Sequence, residues 1–222
     1  MTDIKNTIEE NVEDNTENTT EKSAQKTKHD KHQERQQRLK EKVDERIAKA
    51  QTEQGVFQVI TGNGKGKSTS GFGVVTRAVG HGMKAAVVQF IKGGWECGER
   101  NLLESVGVEF TYMKTGFTWE TQNRESDTAA AQEAWQAGKR MLADESIDVV
   151  LLDELTYMIT YDYVDLDDVL TAIANRPKMQ SVIVTGRAAH RQLTELADTV
   201  SEVRNVKHAF DAGVKAQKGF DY

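Results

Sequence analysis

A glycine-rich segment, TGNGKGKSTSGFG at residues 61–73, restricts the fold of this chain more than any other part of the sequence. Its end matches the phosphate-loop pattern G-x-x-x-x-G-K-[ST], with Gly66, Lys67 and Ser68 at the last three positions. Thr61, however, stands where the first glycine of that pattern belongs. The segment is therefore either a variant phosphate loop or a glycine-rich turn that binds no ligand.

The flanking sequence favours the phosphate loop. An apolar run precedes the segment, and Phe72, Val75 and Val79 fall on one face of a predicted helix that follows it. Backbone amides at the start of such a helix attract phosphate oxygens. We expect Lys67 to neutralise phosphate charge and Ser68 to ligate Mg²⁺ through its hydroxyl. The predicted nucleotide-binding residues of the loop are Gly62, Asn63, Gly64, Lys65, Gly66, Lys67, Ser68 and Thr69.

A second motif, VVLLDE at residues 149–154, points to the same chemistry. Its four apolar residues predict a buried strand, and Asp153 and Glu154 at the carboxyl end would hold Mg²⁺ directly or through water. A strand that merely ends in solvated acids is the alternative for this motif alone. The two motifs together predict a nucleotide site, and the absence of a guanine-reading N-K-x-D sequence favours ATP. Because many enzyme classes share both motifs, they do not identify the reaction.

Short β-rich runs alternate with helical ones from residue 55 onward. The predicted strands cover residues 56–61, 85–91, 108–113, 148–154, 181–186 and 199–204. Two predicted helices between them have apolar faces formed by Ala131, Trp135, Gly138 and Leu142, and by Leu166, Val169, Leu170 and Ile173. Nearly continuous apolar strands are typical of a parallel sheet covered by helices on both faces. The pattern predicts an α/β, doubly wound, mainly parallel sheet. Together with the phosphate-loop and acidic motifs, it predicts a P-loop NTPase (RecA-like) fold.

The amino-terminal part has a different composition. Residues 1–30 carry eight acids and four lysines with few large apolar side chains, so we expect a disordered acidic tail. Residues 31–54 are rich in helix-forming residues and carry a narrow apolar stripe of Leu39, Val43 and Ile47, which predicts an amphipathic helical arm. We assign residues 55–204 to the α/β domain. Residues 205–222 form a carboxyl-terminal segment that completes it.

Composition restricts location and partners. No apolar run approaches the roughly 18 residues of a membrane span, and no signal peptide is evident. A net charge of −6 does not suggest a nucleic-acid partner. The single cysteine, Cys97, excludes an internal disulfide. We therefore expect a cytoplasmic protein that binds neither membrane nor nucleic acid.

Two further features bear on the ligand. Phe117 and Trp119 lie in a glycine-containing segment between a predicted strand and helix, where they would either form a platform for a flat ligand or pack beneath the loop. Arg187 directly follows a predicted strand, and its guanidinium would reach the triphosphate from there.

Several segments together resemble one enzyme family. They are TGNGKGKST, TRAVGHG, VVQFIKG, GFTWETQNRESD, LLDELTYM and HAFDAGVKAQKGFDY. In these segments the chain resembles the bacterial ATP:corrinoid adenosyltransferases of the P-loop class, over roughly residues 33–222. The shortened glycine spacing is the norm in this family, so the resemblance accounts for Thr61 in place of the first glycine. Ser68 stands where the family often has threonine.

The resemblance implies a reaction. A Co(I) corrinoid would attack the 5′ carbon of ATP and expel the whole triphosphate, in adenosylcobalamin biosynthesis or salvage. Lys67 and a Mg²⁺ held by Ser68, Glu154 and Asp153 would stabilise the charge of that leaving group. Phe117 and Trp119 would press on the lower face of the corrin ring and displace the axial base of a Co(II) precursor.

The resemblance also implies partners. The family forms homodimers in which the amino-terminal helix covers the partner's active site, although this helix could instead dock on its own domain. An electron-donating reductase such as a flavoprotein would supply Co(I). The residues alone leave two other functions open: a P-loop ATPase or kinase acting at the γ-phosphate, and a RecA-like regulatory module that binds ATP without turnover.

Overall fold

The computed structural model describes residues 28–91, 96–113 and 124–222. The chain divides into two compact units, Met1–Thr52 and Glu53–Tyr222. In the first unit, residues 28–49 are helical and are called α1 here. The side chains of Leu39, Val43 and Ile47 on this helix are exposed. None of the helices that the structure describes is long and apolar enough to cross a bilayer.

The second unit is built on a six-stranded sheet in the order β3-β2-β4-β5-β1-β6. Every strand pair in it is parallel, as the apolar strands predicted. The strands are β1 (Phe57–Thr61), β2 (Ala85–Gln89), β3 (Glu109–Tyr112), β4 (Val149–Asp153), β5 (Ser181–Thr185) and β6 (Thr199–Glu202). All six lie where the sequence placed them, and each is one or two residues shorter than predicted.

Helices connect these strands. They are α2 (Lys67–Gly80), α3 (Gly98–Ser105), α4 (Arg124–Ala143), α5 (Leu155–Thr160), α6 (Leu166–Ala174) and α7 (Arg191–Leu196), and a 3₁₀ turn follows at Phe210–Ala212. The predicted apolar faces of α4 and α6 are correct, since Trp135 and Val169 are completely buried. Trp135 Nε1 also donates a hydrogen bond to Asp168 Oδ2 at 2.8 Å. The indole N–H is thereby satisfied where α4 packs against α6.

Side chains of β4 alternate between two apolar clusters, one on each face of the sheet. Val150 and Leu152 pack with the residues of α4, α5 and α6, whereas Val149 and Leu151 pack with those of α2 and α3. Successive side chains of a strand point to opposite faces. The continuous apolar run of this strand therefore reflects helices on both sides of the sheet, which is the doubly wound architecture.

The strand order determines where chemistry can occur. β5 lies between β1, which leads into the phosphate loop, and β4, which carries the acidic motif. Neighbouring strands are about 4.8 Å apart, so the ends of β1 and β4 are separated by roughly 9–10 Å. A cleft of this width at the carboxyl edge of a parallel sheet suits a phosphate group and its counter-ion.

Helix α2 approaches the sheet closely because of Gly71. A Cβ atom at this position would lie 2.8 Å from Leu151 Cδ1 and 3.2 Å from Thr185 Cγ2, whereas a Cβ at Gly73 would meet nothing within 4 Å. Both glycines belong to the same helix. They differ in whether they face the sheet.

We expect Gly71→Ala to lower the free energy of unfolding by about 1–3 kcal/mol, because overpacking forces core side chains to move. The matched variant Gly73→Ala should raise it by about 0.5–1 kcal/mol, since alanine restricts the unfolded chain more than glycine does. Urea denaturation measures both. Equal effects of the two substitutions would contradict the close contact between helix and sheet.

Candidate functional site

The carboxyl ends of the strands meet at a cavity of about 380 Å³. The loop residues from Asn63 to Thr69 line it together with Asp153, Glu154 and Arg187. The fold thus brings both predicted motifs to one place, although they are almost ninety residues apart in the sequence. Phe117 and Trp119 lie outside the described residues, so their predicted role stays a prediction.

The phosphate loop depends on glycine at two kinds of position. Gly62 and Gly66 have φ angles of 103° and 116°, which residues with a Cβ rarely adopt. Gly64 is needed for close approach, since its N–H donates to Val203 O at 2.7 Å and a Cβ there would lie 2.6 Å from Arg204 O. The loop is therefore pinned against the chain that leaves β6.

Thr61 has a structural role that a glycine could not fill. It is the last residue of β1, and its hydroxyl oxygen accepts a hydrogen bond from Ala189 N at 3.2 Å. This bond ties the end of β1 to the segment that follows β5. Because Thr61 lies in an extended strand, the position requires no positive φ angle, and the departure from the usual loop pattern carries no conformational cost.

The two predicted loop residues with chemical roles stand at the start of α2. Lys67 is 7% exposed, and its Nζ donates to Gly64 O at 2.8 Å. The ammonium group therefore lies inside the loop. Ser68 follows as the second residue of the helix and lines the same cavity, so its hydroxyl is available to a ligand held there.

Thr185 connects the two acids of the second motif. Its hydroxyl donates to Asp153 Oδ1 at 2.7 Å and accepts from Glu154 N at 3.0 Å. All three residues stand at the carboxyl ends of the neighbouring strands β4 and β5. The hydroxyl thereby orients the Asp153 carboxylate and fixes the backbone where the chain leaves β4.

Glu154 does not continue strand β4, and the predicted strand is wrong at this residue. Its φ angle is 62°, and it is the residue that precedes α5. A left-handed residue turns the chain sharply, so α5 starts immediately after the strand. The turn separates Glu154 from the alternating side chains of β4, yet Glu154 still lines the cavity.

Arg187 is positioned through its backbone. Thr156 Oγ1 donates to Arg187 O at 2.7 Å, which links α5 to the chain after β5. Gly186, the residue before Arg187, has a φ angle of 138°, and a Cβ there would lie 2.0 Å from Thr156 Oγ1. The contact leaves the Arg187 side chain exposed at the wall of the cavity.

Gln89 and Tyr157 are cavity residues that were not anticipated from the sequence. Gln89 ends β2 and is 3% exposed; its Nε2 lies 3.5 Å from Asp153 Oδ2, and its Oε1 has no hydrogen-bond partner among the described residues. Tyr157 also lines the cavity. Burial, followed by the negative charge of Glu154, raises the pKa of this phenol. The sequence does contain a signal for Gln89, because it is the polar residue that ends the apolar run AAVVQ at the carboxyl end of a strand.

The carboxyl-terminal segment contributes a wall of the cavity. Ala216, Asp221 and Tyr222 line it beside the phosphate loop. Asp221 Oδ1 lies 2.6 Å from Lys65 Nζ, which forms an ion pair. The Lys65 hydrogen bond is the main cause that lowers the pKa of Asp221. The pair brings the last residues of the chain onto the loop, a contact that sequence spacing could not predict.

Cys97 also lines the cavity and is a free thiol. Its Sγ donates to Glu99 Oε2 at 3.3 Å, and burial is the main cause that raises the pKa of the thiol. Cys97 is therefore a neutral group in the wall. Among residues 28–91, 96–113 and 124–222, no group of three or more His, Cys, Asp or Glu residues forms a metal cage.

Comparison with known proteins gives consistent matches. A family model described as ATP:corrinoid adenosyltransferase BtuR/CobO/CobP matches residues 53–222. The chain is 68% identical over 177 residues to a corrinoid adenosyltransferase of Escherichia coli K12, covering 80% of this chain and 90% of that protein. It is 65% identical over 177 residues to the corrinoid adenosyltransferase CobA of Salmonella typhimurium, with the same coverage. A corrinoid adenosyltransferase of Pseudomonas aeruginosa is 51% identical over 179 residues, covering 80% of this chain and 88% of that protein.

The Thr185 hydroxyl provides a direct test of the site geometry. Thr185→Val keeps the shape of the side chain but leaves Asp153 Oδ1 without this hydrogen bond, so we expect the free energy of unfolding to fall by about 1–3 kcal/mol. Affinity for Mg·ATP should also fall, because the carboxylate loses its orientation. Thr185→Ser retains the hydroxyl and should stay close to the wild type in both urea denaturation and calorimetric titration. If serine and valine had the same effect, the hydroxyl would not be the cause.

Proposed function

This chain belongs to the ATP:corrinoid adenosyltransferase family, and we propose that its cavity holds ATP with the ribose C5′ directed toward the corrinoid. The enzyme transfers the adenosyl group of ATP to a corrinoid in cobalamin biosynthesis. The observation that carries the proposal for the site is one cavity lined by the phosphate loop, by both acids of the second motif and by Arg187. These groups suit the triphosphate of ATP. The reacting carbon, C5′, is joined to the α-phosphate and so lies at the opposite end of the triphosphate from the γ-phosphate.

The chemistry places particular demands on the triphosphate. The electron pair of a Co(I) corrinoid forms the bond to C5′, and the electrons of the C5′–O bond leave with the triphosphate. Negative charge therefore grows on the leaving group in the transition state. Preorganised cations and backbone amides stabilise such charge. Lys67, held inside the loop by Gly64 O, is the residue we assign to this role.

The donor set of the cavity fits Mg²⁺. Ser68, Asp153 and Glu154 supply a hydroxyl and carboxylate oxygens, which are the hard ligands that this ion prefers. Mg²⁺ takes few protein ligands when it binds beside phosphates, so the lack of a protein cage in the described residues agrees with such a site. When bound there, the ion would neutralise charge on the triphosphate. Thr185 would support it by orienting Asp153.

The requirement for an activated water distinguishes hydrolysis at the γ-phosphate from this reaction. Attack at C5′ requires no residue that activates water. Gln89, the buried residue beside Asp153, carries an amide that cannot take up a proton. This amide therefore cannot act as a general base for a water molecule.

The remaining proposals concern partners. We assign Phe117 and Trp119 to the lower face of the corrin ring, where they would displace the axial base of Co(II) and ease its reduction. The exposed apolar stripe of α1, with Leu39, Val43 and Ile47 at 58%, 45% and 65% exposure, supports a homodimer in which this helix covers the partner's site. A reductase such as a flavoprotein would supply the electron. We also propose a cytoplasmic location, which the use of ATP supports.

Product analysis tests the reaction. Incubation with ATP, a corrinoid and a reductant should form a cobalt–carbon bond and release triphosphate in equal amount. Chromatography of the phosphates and the visible spectrum of the corrinoid measure the two products. Corrinoid-dependent release of ADP and phosphate would instead indicate a P-loop ATPase or kinase, and ATP binding without any turnover would indicate a regulatory module.

The role of Trp119 has its own test. Trp119→Ala should impair adenosylation about tenfold or more when the precursor is Co(II) with an enzymatic reductant, but should retain it when Co(I) is generated chemically. Displacement of the axial base shifts the reduction potential of Co(II). It therefore matters only before the cobalt is reduced to Co(I). Trp119→Phe keeps an aromatic face, so its activity with the Co(II) precursor should lie between those of the wild type and Trp119→Ala. Equal losses with both precursors would assign Trp119 to general shaping of the pocket.

A further inference from the structure

The phosphate loop contains a second lysine that is already engaged by the end of the chain. Lys65 lies between Gly64 and Gly66, and its Nζ is 2.6 Å from Asp221 Oδ1. The same ammonium lies 5.5 Å from the centroid of the Phe220 ring. We call residues 217–222, which make these contacts, the carboxyl-terminal strap.

The strap is folded so that it presents the Asp221 carboxylate. Asp221 N donates to Gln217 O at 2.8 Å, and Gln217 N donates to Asp221 Oδ2 at 2.7 Å. One carboxylate oxygen is thus fixed by the strap itself, and the other faces Lys65. A second pair, between Lys218 Nζ and Glu96 Oε2 at 3.1 Å, connects the strap to another residue that lines the cavity.

We propose that Asp221 is an internal competitor of the triphosphate for Lys65, and that it promotes release of this product. The inference rests on the proposed function, because it takes the phosphate loop to be the triphosphate site. Asp221 lines the cavity together with the loop residues from Asn63 to Thr69. A carboxylate paired with Lys65 offsets the positive charge that would otherwise attract a phosphate oxygen, so the two anions compete for this ammonium group.

The chemistry of the reaction explains why competition is useful. The triphosphate gains negative charge when the C5′–O bond breaks, so the cations that stabilise the transition state also hold the product tightly. Product release limits the rate of many enzymes. A carboxylate beside the loop would return to Lys65 as the triphosphate leaves, which lowers the free energy of the empty loop. Lys67 donates within the loop and remains available for the chemical step.

The ion pair has a suitable strength for this role. The side chains of Lys65 and Asp221 are 38% and 23% exposed, and partly exposed pairs are weak. A weak pair yields to a multiply charged anion yet still reduces its affinity. The low pKa of Asp221, caused first by the Lys65 hydrogen bond, keeps the carboxylate ionised at neutral pH.

Calorimetric titration with sodium tripolyphosphate tests the proposal on the full chain. Asp221→Asn removes the charge but keeps an oxygen that accepts from Gln217 N, and it should bind tripolyphosphate about two- to fivefold more tightly than the wild type. Glu99→Gln is the matched control, since it removes the same charge from another residue that lines the cavity but contacts Cys97 rather than the strap. It should produce a clearly smaller gain. An equal gain would show general electrostatics and overturn the proposal, as would unchanged or weaker binding by Asp221→Asn.

A double-mutant cycle isolates the lysine. In a Lys65→Met background, Asp221→Asn should no longer increase affinity, because the group for which it competes is absent. A persisting gain would overturn the proposal. If the asparagine variant does not fold, as judged by circular dichroism, a chain that ends at Gly219 removes the carboxylate instead and should show the same gain.

One further variant distinguishes failure of the proposed triphosphate site from failure of the proposed competition by Asp221. Lys67→Ala should weaken tripolyphosphate binding if the loop is the triphosphate site. Equal binding by this variant and the wild type would reject the proposed site itself. Weakened binding by Lys67→Ala together with no gain in Asp221→Asn would reject the competition alone.

Discussion

The hydrogen bond from the Thr185 hydroxyl to Asp153 Oδ1 holds together the edge on which the site is built. It joins β5 to β4 at the point where both strands end, and the same hydroxyl accepts from Glu154 N. The left-handed turn at Glu154 and the start of α5 lie directly at this junction. A buried carboxylate needs such a partner because an unsatisfied charge in the interior is costly. The fold therefore stabilises its acidic motif with the strand that separates it from the phosphate loop.

The electrostatics of the cavity match a reaction with a highly charged leaving group. Lys65, Lys67 and Arg187 line the same cavity as Asp153 and Glu154, so a triphosphate and a metal ion together would satisfy both signs of charge. Lys67 is held within the loop, whereas Lys65 is held by the end of the chain. We therefore propose different roles for two lysines that are two residues apart: Lys67 for the bond-breaking step, and Lys65 for coupling the triphosphate to the carboxyl terminus.

Much of this arrangement was predictable from local patterns. The strand positions, the apolar faces of α4 and α6 and the loop–helix junction at Gly66 all depend on periodicity and on residues that are adjacent in sequence. Glu154 was assigned to a strand because the apolar run continues up to it. Its left-handed turn depends on tertiary contacts with Thr185 and Gly186, which a reading of local sequence does not include. Gln89 was missed for the same reason, since its significance comes from lying beside Asp153.

The sequence by itself determined the chemistry of the chain. Residue types at fixed short spacings specify a phosphate loop, an acidic strand end and the family to which the chain belongs, because these features are encoded locally. Only the tertiary structure decided which distant groups meet. The insertion of β5 between β1 and β4 sets the width of the cleft, and the return of residues 217–222 to the loop pairs Asp221 with Lys65. The strand order buries two apolar faces of one sheet at once, whereas the chain return rests on the ion pairs of Asp221 and Lys218. Neither can be deduced from local residue spacing.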